Sequence, residues 1–159
     1  MIKLTISSPA PKVRRPYGQL LGIIAAAVIT IFVLVHLFRI DTFIPELSYA
    51  LPVSQRAASL IALLLISAEL FAIPFLLRMS LSLLARFCSG ILVIVAPLAW
   101  LLIAVWNYGN SVSTAQLGAF YSLPSGALLI GFNILWLALN YVTLWALGFD
   151  LPKRLSKTR

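Results

Sequence analysis

The chain has 159 residues, of which 62% are hydrophobic and 10% charged, and its mean hydropathy is +1.04. A soluble domain keeps roughly a quarter of its residues charged and could not hide this much apolar surface in one core, so that class is excluded and an integral membrane protein is expected. The net charge of +8 comes from basic residues at the chain ends and beside apolar runs, which leaves no basic face for nucleic acid and makes anionic lipid the expected counter-charge.

Residues 1–17 mix Pro, Ser and the basic residues Lys3, Lys12, Arg14 and Arg15 without an apolar period, and read as a tail. The first span is GQLLGIIAAAVITIFVLVHLF, residues 18–38, long enough to cross a hydrocarbon core of ~30 Å. It exceeds the apolar region of a signal peptide, and HLFRID follows where a small-residue cleavage site would stand, so a retained anchor is expected. The connector RIDTFIPELSYALPVSQR comes next. In it Asp41 is placed to cap a turn, and Phe43, Leu47 and Leu51 recur every four residues, the pattern of a short helix in the membrane interface.

The second span, 57–77, carries Glu69 and Pro74 and is closed by Arg78. A short link with Arg86 leads to the third span, 87–106, which contains Pro97. The loop NYGNSVSTAQLGAFYSL is uncharged, with Phe120 and Tyr121 at its edge, and the fourth span covers 124–148. The tail 149–159 holds Lys153, Arg154, Lys157 and Arg159. All but Arg39 and Arg56 of the twelve Lys and Arg residues therefore fall on one side of the membrane. The positive-inside rule puts that side, with both termini, in the cytoplasm. The expected architecture is all-α: one polytopic domain, a four-transmembrane-helix bundle of the inner membrane, with an interfacial helix between the first two spans.

Counting the ~1.5 Å rise from the cytoplasmic ends brings Glu69, Asn140, the Val95–Pro97 turn and Ala25–Ala27 to one depth. Pro97 frees the carbonyl of Val93 and Pro74 that of Leu70. A neutral Glu69 would donate to such a carbonyl and accept from the Asn140 amide. Two readings of Glu69 stand. It marks a proton, quinone or substrate site, as intramembrane acids do, or it ties helices together by hydrogen bonds. The same count leaves His36 ~14 Å from the Glu69 level, so direct pairing is not expected, the structural reading is favoured and His36 is read as a headgroup-level residue. Trp136 and Tyr141 are expected around the bundle interior, and Arg78 and Arg86 at lipid phosphate.

Gly18, Gly22 and Ala26 form a small-residue stripe, and Ala127 and Gly131 repeat the device. Such stripes pack helices within a bundle or across a dimer, and internal use is favoured in a chain with four spans of its own. The single cysteine, Cys88, excludes an internal disulfide and is read as a small packing residue; with one histidine as well, no metal site is expected. No phosphate-binding loop, zinc-protease motif or nucleophile elbow occurs, so no catalytic residue is assigned.

From His36 to Pro97 the chain has a helix ending near a basic residue, the connector DTFIPELSYALP, the helix ISAELFAIPFLL with its central glutamate, and a short link opened by Arg78. This resembles the DoxX and MauE group of small bacterial membrane proteins. The resemblance implies a four-helix bundle in which Glu69 and the Phe43/Pro52 connector are family positions. It also implies redox association: MauE-like proteins with maturation of a disulfide-rich periplasmic enzyme subunit, DoxX-like ones with quinone-linked sulfur oxidation. MauE-like members carry paired cysteines where this chain has NYGNSVSTAQLG, so thiol chemistry by the chain itself is not implied. The expected function is a non-catalytic accessory protein or subunit of a membrane complex, with the lipid bilayer and a membrane or periplasmic protein as partners. A quinone- or lipophilic-ligand-binding component and a small dimeric transporter are the rival readings. No cofactor is evident, and quinone is the one left open.

Overall fold

The computed structural model of the protein describes residues 13–109 and 126–149. The two expected tails up to Lys12 and beyond Phe149, and the loop with Phe120 and Tyr121, lie outside the described residues. Among the described residues there are five helices: α1 Gly18–Phe38, α2 Ile40–Ala50, α3 Gln55–Leu76, α4 Leu83–Tyr108 and α5 Ala127–Ala146. No strand occurs among the described residues. All but α2 are long and apolar enough to cross a membrane.

The helix ends follow local chemistry. Ser54 and Ser82 cap α3 and α4, their hydroxyls accepting from the N–H of Ala57 and Ala85. The cap at Ser82 starts α4 four residues before the expected span at 87. At α2 the capping residue is Arg39, which makes no side-chain cap bond; Asp41 sits instead in the first turn, where its carboxylate complements the exposed N–H groups.

Helix α1 packs on α3, α3 on α4, α4 on α5 and α5 on α1, closing a four-helix ring. Helix α2 packs on α3 and α1. Its stripe Phe43, Leu47 and Ala50 is turned into the bundle and buried, while Asp41 and Tyr49 are exposed. Ala25, Ala58, Ala62 and Ala72 are fully buried, so the backbones approach closely at the core.

Gly22 shows how close: a Cβ there would lie 2.6 Å from the Leu76 carbonyl oxygen, and one on Gly18 2.8 Å from that of Ala146. Ala26 is buried on the same face of α1. Ala127 and Gly131 do not join the interior as expected. Both are exposed, and among the described residues nothing lies within 4 Å of a Cβ on Gly131. The inward face of α5 is taken by Leu129, Asn133, Trp136, Asn140 and Thr143, which leaves the small pair outside.

Near the C-terminal end of α3, Pro74 has no N–H and opens the helical ladder. One residue on, the Ser89 hydroxyl of α4 accepts from the Phe75 N–H (3.1 Å) and donates to the Phe71 carbonyl (2.6 Å). Those two backbone groups are i, i−4 partners in a regular helix, so the hydroxyl bridges the disturbed turn and staples α3 to α4. Gly90, next to Ser89, leaves room for the ring of Phe149, which stacks on Phe87 and meets Phe75 edge-on.

Candidate functional site

Glu69 lies in the C-terminal half of α3 on the stripe Ala58, Ala62, Leu65, Ile66, Glu69, Ala72 and Phe75, whose spacing keeps one helix face inward. It is 3% exposed. Oε1 accepts from the indole N–H of Trp100 on α4 at 2.8 Å, and Oε2 lies 3.3 Å from Nδ1 of His36 on α1. His36 is fully buried. Three helices therefore meet at one carboxyl group.

The pairing with His36 overturns the depth expectation. Gly22 meets Leu76, which fixes the register of α1 against α3. From that contact the Cα atoms of His36 and Glu69 still differ in depth by roughly 10 Å. Side chains in a helix lean toward its N-terminus. Helices α1 and α3 are antiparallel, so His36 leans down and Glu69 leans up, and the two side chains with their 3.3 Å contact bridge the gap. Trp100 reaches Glu69 the same way. It lies one turn beyond Pro97, the residue expected at that level, and leans back along α4.

An aromatic cluster holds the imidazole. The Phe43 ring of α2 stacks on it at 4.5 Å between centroids with a 20° interplanar angle, and Trp100 lies at 5.5 Å and 25°. Phe43 thus ties α2 to the site. Below the rings, Phe32 packs edge-on against Trp136 at 5.9 Å. Trp136 is in the interior as expected, whereas Tyr141 is 64% exposed and points outward.

Asn140 is fully buried yet does not bond Glu69. Its Nδ2 donates to the Trp136 carbonyl one turn back, and both Glu69 oxygens are already engaged. Asn107 and Asn133 fold back on Ile103 and Leu129 in the same manner, the local bond that short polar side chains make inside helices. The Asn140 Oδ1 is left buried without a hydrogen-bond partner among the described residues. The carbonyl of Val93, freed by Pro97, is not used by Glu69 either. Cys88 is exposed, not packed inside.

Chemically, the Trp100 N–H can only donate, so it orients Oε1. The Nδ1–Oε2 contact holds a proton on either atom, because imidazole and carboxyl can each act as donor or acceptor. Among the described residues no group of three His, Cys, Asp or Glu side chains could hold a metal ion. A groove of about 430 Å³ lies on the outer seam of α3 and α4, lined by Leu65, Ala68, Phe71, Ala96 and Ala99 among others. Ala68 and Ala99 are the chain neighbours of Glu69 and Trp100, but both site side chains turn the other way, into the bundle.

Glu69 was legible as the one acid inside an apolar run. His36 and Trp100 as its partners were not, and the signal that would have found them is the N-terminal lean of side chains on antiparallel helices. Comparison of the chain with protein-family models, with curated proteins and with solved structures gives no match.

Proposed function

We propose that this chain is a multi-pass inner-membrane accessory protein or complex subunit of DoxX/MauE type, and that the His36–Glu69 pair is a proton-binding centre through which it serves a redox partner. The observation that carries the reading is the 3.3 Å contact between Nδ1 and Oε2, both side chains being buried within apolar spans. Ionisable side chains inside a membrane are costly and mark proton or substrate pathways when paired. A purely structural tie between α1 and α3 would be served by uncharged hydrogen-bonding groups, such as those of Ser89, at lower desolvation cost.

The orientation with both termini in the cytoplasm is supported by the positions of the arginines. Arg14, Arg15, Arg78 and Arg86 lie at the end of the bundle where α3 stops and α4 starts, and Arg39 and Arg56 at the other. The partner is a membrane or periplasmic protein. Its capture through a C-terminal tag, from native membranes in mild detergent, is the test. A recurrent stoichiometric partner is expected with wild type and with Glu69→Gln, the redox turnover of the complex falling at least tenfold in the variant. A solitary protein in repeated preparations, or one that turns over a substrate unaided, contradicts the proposal.

A second reading, binding of a quinone or other lipophilic ligand, is favoured by one observation: the apolar groove on α3 and α4 opens outward one residue from Glu69 and Trp100. Quinone that co-purifies with the wild type and is lost on Ala99→Trp, which fills the groove, supports it; quinone-free protein discards it.

A further inference from the structure

Helix α1 stops short of the bundle end, and α2 makes up the difference. Gly22 meets Leu76, and counted from that level α1 ends about 8 Å before the level at which α3 begins. Phe43 of α2 fills the step. It is fully buried, its ring stacks on His36 at 4.5 Å, and it lies 6.1 Å from the ring of Trp100. His36 is two residues from the end of α1, so on this side one aromatic ring and the helix that carries it cover the imidazole. In the opposite direction the way out is longer and apolar. From Glu69 to the end of α3 is roughly 10 Å, filled by Ile29, Phe32, Ala72, Phe75, Leu76 and Leu147, all buried. The polar Asn140 and Thr143 on that side donate back to their own helix.

The construction of α2 lets it move as one piece. It is flanked by the non-helical Arg39 (φ −120°, ψ 28°) and the extended Leu51 (φ −108°, ψ 122°), element-terminal positions of the kind that absorb a hinge rotation. Pro45 has no N–H, so the carbonyl of Asp41 lacks a helical donor, and the turn that carries Phe43 is held by fewer bonds than a regular one. The hold of α2 on the bundle is the short stripe Phe43, Leu47 and Ala50. Elements seated by few buried apolar side chains open at lower free energy than the core they cover. We propose that α2 is a lid over the His36–Glu69 pair, with Phe43 as its plug. The pair exchanges protons on the α2 side, opposite Arg78 and Arg86, when the ring lifts off the imidazole. The lid rests on the reading of the pair as a proton-binding centre.

Diethyl pyrocarbonate acylates an unprotonated imidazole that it can reach, and the chain has one histidine. The full chain, with a tag free of histidine, is placed in phosphatidylcholine nanodiscs, and acylation of His36 is timed by mass spectrometry. Wild type reacts slowly. Phe43→Ala reacts roughly tenfold faster or more, and Leu47→Ala, which keeps the ring but loosens the helix, roughly fivefold faster. Phe32→Ala, which removes a ring from the other side of the site, keeps the wild-type rate. A wild-type rate in Phe43→Ala or Leu47→Ala, or equal gains in Phe43→Ala and Phe32→Ala, overturns the lid. Should Phe43→Ala not fold, wild type decides. The protection of His36 against the reagent then equals that of the α2 amides against deuterium exchange, because one opening exposes both, and is well below that of the amides of residues 62–72 in α3. Protection as high as in α3 means access by unfolding of the bundle and overturns the lid. Acylation reads access whether or not the pair carries protons. A lid found with unchanged redox turnover in Glu69→Gln refutes the proton reading alone, and lost turnover without a lid refutes the lid alone.

Discussion

At the scale of single residues, Glu69 is held from two sides by chemically different partners, and that difference separates its structural work from the proton chemistry proposed for it. A glutamine there can still accept from Trp100 through its carbonyl and donate to Nδ1 of His36 through its amide. Glu69→Gln is therefore expected to change unfolding free energy by less than about 1 kcal/mol, in keeping with hydrogen bonds between membrane helices, while abolishing any proton exchange at the pair. Glu69→Ala strands two buried polar groups at about 1–3 kcal/mol each. Denaturant titration of the two variants checks the contrast; equal losses would make the site structural only. The acid was visible in the sequence as the one charge within its apolar run. Its partners were hidden because residue counting fixes the depth of Cα atoms, whereas the contact is made by side chains leaning several ångströms along two opposed helices.

At the scale of helices, two contacts set the geometry that brings the pair together. Gly22 lets α1 lie against the Leu76 carbonyl, so Gly22→Leu should wedge the helices apart and cost about 1–3 kcal/mol. Gly131→Ala, in open space on α5, should be neutral or stabilising by up to about 1 kcal/mol. Thermal unfolding of both variants in detergent checks the pair, and equal effects would contradict the assigned faces. The two small-residue stripes look alike in sequence. Only the polar face of α5, which claims the interior with Asn133, Asn140 and Thr143, distinguishes them. The other contact is the Ser89 bridge beside Pro74. Ser89→Ala removes the bridge between the Phe75 N–H and the Phe71 carbonyl and should cost about 1 kcal/mol, read by thermal unfolding in detergent. The proline announced a disturbed turn; that a serine hydroxyl fourteen residues later would repair it depends on how α4 packs back on α3.

At the scale of the molecule, no span has more than 44% of its most apolar window buried within the chain. The remaining surface requires lipid or other helices, as the composition already indicated. The number of long apolar helices was legible because hydropathy and length alone define them, and so was the uneven placement of basic residues. The seating of α2 on the bundle was not, because Phe43, Leu47 and Ala50 have the same spacing whether they face lipid or protein. The proposed orientation, with both termini in the cytoplasm, predicts that fluorescent protein fused after Arg159 fluoresces and that alkaline phosphatase fused there is inactive; the reverse would invert the topology. The central claim, that His36 and Glu69 form a proton-binding pair inside the membrane, is open to one direct measurement, because the chain contains a single histidine. Protein labelled with ¹⁵N-histidine, carrying a tag without histidine and placed in nanodiscs, gives one imidazole to observe across pH. The account predicts one hydrogen-bonded state slow to exchange with solvent, with Nδ1 moved by Glu69→Gln. A freely exchanging imidazole whose chemical shifts are the same in both proteins would contradict it.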